Sequence, residues 1–190
     1  MTSPVRSAVA MSLEEFLRLP EEKPCLEYID GMIEAKVSPK LHHSRIQTEL
    51  ASSLNAYARP SRIGFAVVEL RCTFAGRSVL PDVAFLLREH IGQDEHGDMS
   101  DEIMRAPDLA VEVVSPGQPP RRPGERLAFA LANGCALGWL IDPYRRTIDV
   151  YRPDAGPIRL ADDGVLEGEP VLPGYRLAVV EVFGWLKIGR

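Results

Sequence analysis

A single charged residue inside an otherwise apolar run sets the strongest constraint on this chain. Leu109-Ala110-Val111-Glu112-Val113-Val114 reads as an interior strand buried on both faces, the kind that lies in a sheet covered by helices. Period-two geometry puts Ala110, Glu112 and Val114 on one face and Leu109, Val111 and Val113 on the other. An ionised carboxylate there costs several kcal/mol unless it is paired, neutralised, metal-bound or open to a cleft. Glu112 therefore marks either a half-exposed strand face or a polar site built into a core.

Asp82 repeats the pattern. It is the only charge in the run Val79 to Leu87, and Pro81 beside it has no N–H for a strand ladder, which predicts a local irregularity. Taken alone, a strand-edge Asp after a turn explains it. Glu27, in Cys25-Leu26-Glu27-Tyr28-Ile29, is a weaker third case, because the nearby Asp30 and Glu34 show that this segment tolerates acids. Three carboxylates converging from neighbouring elements repel one another unless a cation sits between them. Hard oxygen donors with open water positions suit Mg²⁺ or Mn²⁺. A metal so held supports hydrolysis of a phosphodiester.

The chain has 190 residues, 45% of them hydrophobic and 26% charged, enough for one sizeable core and one domain. Residues 1–10 read as a loose arm before a single domain over 11–190. Ser12 and Glu15 form a capping-box signature for a short helix ending before Pro20. Asp30-Gly31, between two alternating stretches, predicts a hairpin. Ile46, Leu50, Leu54, Tyr57 and Ala58 recur at helical spacing from about Leu41 until Pro60. One strand is expected from Gly64 through Phe74, and a second from Val79 to Leu87 after a turn at Ala75-Gly76. Residues 88–106 are polar, acidic and aperiodic, an expected exposed excursion. A strand over 107–115 follows, and a Pro- and Arg-rich connection leads into a helix that carries Leu127, Ala130 and Leu131 and ends at Asn133-Gly134. A hairpin over Asp142 to Arg145, a short strand IRLA and a C-terminal strand or helix complete the chain. This order describes a mixed α/β fold with a central sheet.

In sequence order, LEYIDGMIE, SPKLHHSRIQTEL, VLPDVAFL, PDLAVEVVSP, GERLAFALANGCALGWLIDP and TIDVYRP resemble the Uma family of candidate restriction endonucleases. Pro81-Asp82 followed by Glu112-Val113-Val114 is similar to the motif of the PD-(D/E)XK nuclease superfamily. The resemblance spans roughly Leu13 to Pro153, and the tail LPGYRLAVVEVF also fits. It implies a restriction-endonuclease-like core, a central mixed β-sheet flanked by helices. It further implies Glu27, Asp82 and Glu112 as the acidic site for Mg²⁺ or Mn²⁺, nucleic acid (DNA first) as partner, and association as a homodimer. Val114 stands where the motif has Lys, and Arg126 holds the helix position to which the family's lysine has migrated. Arg cannot act as a general base, but Arg126 can stabilise charge on a pentavalent phosphorus. The rival reading is a weakened or inactive nuclease fold kept as a nucleic-acid-binding or partner module.

His43, at the start of the long helix, is a candidate for touching a phosphate or a water; a structural hydrogen bond explains it as well. Gln47, one turn on, shares its face. Arg121 and Arg122, with Arg126, form a basic cluster able to neutralise phosphates, although surface arginines are usually just solvated. With 22 Lys and Arg against 27 Asp and Glu, a net charge of −5 confines nucleic-acid binding to such a local patch. Cys25, Cys72 and Cys135 form no disulfide framework or metal knuckle, so free thiols in a reducing cytoplasm are expected. No apolar run is long enough for a membrane span, and none of the acids in the excursion has calcium-loop spacing.

Overall fold

The structure, a computed structural model, describes residues 6–7, 11–117 and 119–189. A two-residue strand, β1 (Arg6–Ser7), pairs with β3; the rest of the expected N-terminal arm lies outside the described residues. Helix α1 (Leu13–Leu17) begins at a capping box in which Ser12 and Glu15 satisfy each other's backbone N–H groups. The expected hairpin is β2 (Leu26–Ile29) and β3 (Met32–Ala35), with Asp30 and Gly31 both at positive φ as a tight two-residue turn requires. The long helix α2 (Leu41–Ala58) buries Ile46, Leu50, Leu54 and Ala58. Tyr57, expected on the same face, is turned outward so that its hydroxyl donates to Pro173 O at 2.6 Å.

The two long strands expected next are each broken. The first becomes β4 (Gly64–Val68) and β5 (Cys72–Phe74), the second β6 (Arg77–Val79) and β7 (Val83–Leu87). Glu69, at φ 50°, turns the chain out of one sheet, and Leu80-Pro81-Asp82 brings it back. β5 and β6 pair in a smaller sheet, in the order β1-β3-β2-β6-β5, whereas β4 and β7 belong to the main one. The irregularity expected at Pro81 is thus a crossing between two sheets, and Asp82 lies at the crossing.

After a 3-10 turn at Arg88–His90, the segment to residue 106 is mostly exposed, except that Ile103 and Ala106 enter the core. Then follow β8 (Leu109–Val113), α3 (Arg121–Ala132), β9 (Leu137–Asp142), β10 (Thr147–Tyr151) and β11 (Ile158–Ala161). The chain ends in the pair β12 (Val165–Glu167) and β13 (Arg176–Ala178) and the helix α4 (Val179–Gly184). The main sheet has the order β11-β10-β9-β8-β7-β4 and is mixed: β8 and β9 run parallel, the other pairs antiparallel.

The two faces of β8 separate as its alternation predicts. Leu109, Val111 and Val113 join one core cluster with Ile46, Leu50 and Leu54 of α2. Ala110 and Val114 join a second with Leu127 and Ala130 of α3. Glu112 shares the parity of that second face, which is the face covered by α3 and Arg126. Among the described residues no helix is long and apolar enough to cross a membrane.

Candidate active site at the end of β8

The sheet register brings Asp82 and Glu112 together. Val83 is paired with Val111 across the antiparallel β7–β8 ladder. Continuing that register by one residue sets Asp82 opposite Glu112, a cross-strand position in which both side chains leave the same face. Both are buried, and both line a small cleft of about 40 Å³ that also meets Glu34, Lys36, His43, Ser115, Arg122 and Arg126.

Asp82 is held from three sides. Its Oδ2 accepts the Val113 backbone N–H at 2.7 Å and lies 2.9 Å from His43 Nε2, which must be the donor to a carboxylate. Its Oδ1 is 2.8 Å from the Lys36 ammonium, an ion pair that lacks hydrogen-bond alignment. Gln47 fixes the backbone by donating to Asp82 O at 2.7 Å. One face of the first turns of α2 therefore positions this residue.

Glu27 is fully buried on β2. Its Oε1 accepts the Leu80 N–H at 2.8 Å, and its Oε2 is 2.5 Å from Arg126 Nη2. Arg126 also reaches Glu112 through Nη1, at 3.8 Å from Oε2. The guanidinium thus bridges two carboxylates, with the closer contact to Glu27.

The carboxyls of Glu27, Asp82 and Glu112 share two half-buried cations, Lys36 and Arg126, and Glu112, reached by Arg126 only at 3.8 Å, is the least compensated. Burial, reinforced by the charge of Asp82, pushes its carboxyl up to about 8. Burial would also raise Asp82, but the Lys36 charge and the His43 hydrogen bond outweigh it and hold Asp82 well below the usual carboxylate range. Lys36 is raised: burial works against its charge, and the neighbouring Asp82 and Glu112 overcome that. Two cross-strand carboxyls driven in opposite directions form an electrostatically unfinished site.

The sequence-derived candidates fall in distinct places. Asp82, Glu112, His43, Arg122 and Arg126 meet at the cleft, and His43 serves Asp82 directly. Glu27 lies behind it, on Arg126. Arg121 is exposed and paired with Glu125 at 2.7 Å, away from the cleft lining. Lys36 was not foreseen. The sequence carries only a weak signal for it, the period-two spacing that puts Lys36 on the same strand face as Glu34, which faces Glu27 across the β2–β3 ladder.

Among the described residues no three His, Cys, Asp or Glu side chains form a metal-ligand cluster. The donor set nevertheless fits Mg²⁺ or Mn²⁺, which take one or two carboxylates and fill the other positions with water and substrate phosphate. Two observations support the fit: Asp82 Oδ1 is buried without an aligned hydrogen bond, and Glu112 lacks the charge needed to ionise it.

The fold recurs in a solved structure. The crystal structure of a "putative nuclease belonging to DUF820" from Anabaena variabilis is 35% identical, covers 93% of this chain and 99% of its own, and superposes with a TM-score of 0.90. A search of curated proteins finds no match. The family model described as "Putative restriction endonuclease" matches residues 13–180, nearly the whole described domain. By that match the chain belongs to the Uma2 family of restriction-endonuclease-like proteins.

Proposed function

We propose that this protein is a divalent-metal-dependent endonuclease that hydrolyses phosphodiester bonds in DNA. The observation that carries the reading is the register-matched pair Asp82 and Glu112, both buried and both facing one cleft. Asp82 Oδ1 and the Glu112 carboxylate would hold the metal, which supplies an activated water and a clamp on a phosphoryl oxygen. His43 and the Val113 N–H fix the Asp82 rotamer, so the donor is in place before substrate arrives. Glu27 holds Arg126 from behind and aims its guanidinium at Glu112. Arg126, permanently charged, stabilises negative charge gathering on the phosphoryl oxygens. Arg122, at the cleft mouth, engages a flanking phosphate. Cutting both strands of a duplex needs two such centres, which a pair of copies supplies. The unpaired thiols of Cys25, Cys72 and Cys135 suit a cytoplasmic setting.

Supercoiled plasmid incubated with Mg²⁺ or Mn²⁺ is expected to be nicked, and Glu112→Ala to abolish nicking while the circular-dichroism spectrum is unchanged. Arg126→Lys is expected to raise the rate, since an ammonium at that place can exchange a proton with water and a guanidinium cannot. No nicking with either metal would favour the rival, a binding module on the same scaffold. A salt-dependent DNA shift that persists in Glu112→Ala would then identify it.

A further inference from the structure

Asp82 has one oxygen left for a metal, and a side chain of the protein is already on it. Oδ2 takes two donors, the Val113 N–H at 2.7 Å and His43 Nε2 at 2.9 Å. Oδ1 takes only the Lys36 ammonium, at 2.8 Å. The contact is one of charge rather than direction, because Oδ1 has no hydrogen bond of good geometry.

Lys36 is also built to stay at the cleft without Asp82. Its backbone N–H donates to Cys25 O at 2.8 Å, which extends the β2–β3 pairing by one residue and anchors the stem of the side chain. Its Nζ donates to Leu80 O at 2.6 Å, a main-chain partner that remains when the carboxylate contact is given up. Arg126 cannot play the same part, since its close contact is with Glu27.

We infer that Lys36 is a tethered cation that occupies the metal position on Asp82 and must withdraw from Oδ1 before a divalent ion binds. The inference rests on the proposed metal-dependent reading and adds a competitor for the metal inside the protein. Two like charges on one carboxylate oxygen repel strongly in a buried setting, so the ammonium and the metal exclude each other. An ammonium on a four-bond stem competes at high effective concentration whatever the buffer contains. Asp82 is then neutralised in the resting protein, and the cleft loads metal only against that competition.

The test is Mn²⁺ binding followed by isothermal titration calorimetry, without nucleic acid, on the wild type, Lys36→Met, Lys36→Gln and the double variant Lys36→Met/Asp82→Asn. Lys36→Gln keeps a donor for Leu80 O and guards against a local collapse of β3 in the methionine variant. Both single variants are expected to bind Mn²⁺ at least tenfold more tightly than the wild type, and the double variant to lose that gain. Equal or weaker binding by both single variants, with binding lost in the double variant, would overturn the role of Lys36 and leave the metal reading intact. No saturable binding by any of the proteins would overturn both.

Discussion

Asp82→Ala is expected to abolish metal-dependent DNA cleavage and to destabilise the fold by roughly 3–5 kcal/mol, the cost of removing one partner from a buried charged pair. The large effect follows from what Asp82 neutralises. Lys36, His43 and the Val113 N–H all converge on its carboxylate, and alanine leaves His43 and the Val113 N–H without their acceptor and Lys36, still bonded to Leu80 O, without its counter-charge. Asp82→Asn separates the two consequences. The amide oxygen still accepts from Val113 N, so urea denaturation should show a smaller loss than for alanine. The missing negative charge removes the donor to the metal, so the cleavage rate should fall at least roughly 10³-fold, on the scale of other preorganised electrostatic groups. If Asp82→Asn cleaves at the wild-type rate, Asp82 only holds the sheets together.

The second large effect is a pH-dependent gain in stability from Glu112→Gln, measured in EDTA. Burial and the neighbouring Asp82 charge push the Glu112 carboxyl from its ordinary 4.5 up to about 8. Between those two values the folded protein holds a proton on Glu112 that the unfolded chain has released, so this residue makes stability fall as the pH rises. The loss accrues at up to about 1.4 kcal/mol per pH unit and levels off above about 8. Glutamine carries no charge at any of these pH values. Its melting temperature should therefore match the wild type near pH 5 and exceed it at pH 9 by on the order of 10 °C. Asp82 works in the opposite sense: its lowered carboxyl contributes stability above the ordinary aspartate range and loses it in acid. Mg²⁺ should close the gap at pH 9 by stabilising the wild type alone. Parallel melting curves across the pH range would mean that Glu112 is solvated.

Much of this architecture was legible from periodicity and punctuation. The capping box at Ser12, the Asp30-Gly31 hairpin, the 18-residue helix α2 and the buried strand β8 stand where their patterns put them. Local signals were sufficient because each of these elements obeys a local rule. The two sheet crossings were not legible in the same way. Strand runs 64–74 and 79–87 carry continuous β-forming composition, and only tertiary pairing decides that each is shared between two sheets. Pro81 announced an irregularity without saying where the chain would go.

The site divides along the same line. Glu112 and Asp82 betrayed themselves by being charged where the pattern demanded apolar side chains. Lys36 follows a strand that already carries acids, so its charge looked ordinary there. What makes it part of the site is a contact with Asp82, 46 positions further along the chain, a relation between the end of β3 and the β6–β7 crossing that spacing alone does not encode. Arg121 shows the converse: proximity to Arg126 along α3 does not give it the same helix face, and its exposed side chain turns to Glu125, outside the cleft lining.

The most direct test of the metal centre is the anomalous difference map of a crystal soaked in Mn²⁺. The account predicts one peak bonded to both Asp82 Oδ1 and a Glu112 carboxylate oxygen, at about 2.0–2.3 Å from each, with the Lys36 ammonium moved off Asp82. A Mn²⁺ ion bound elsewhere, with Lys36 still on Oδ1 and Glu112 free of metal, would contradict it.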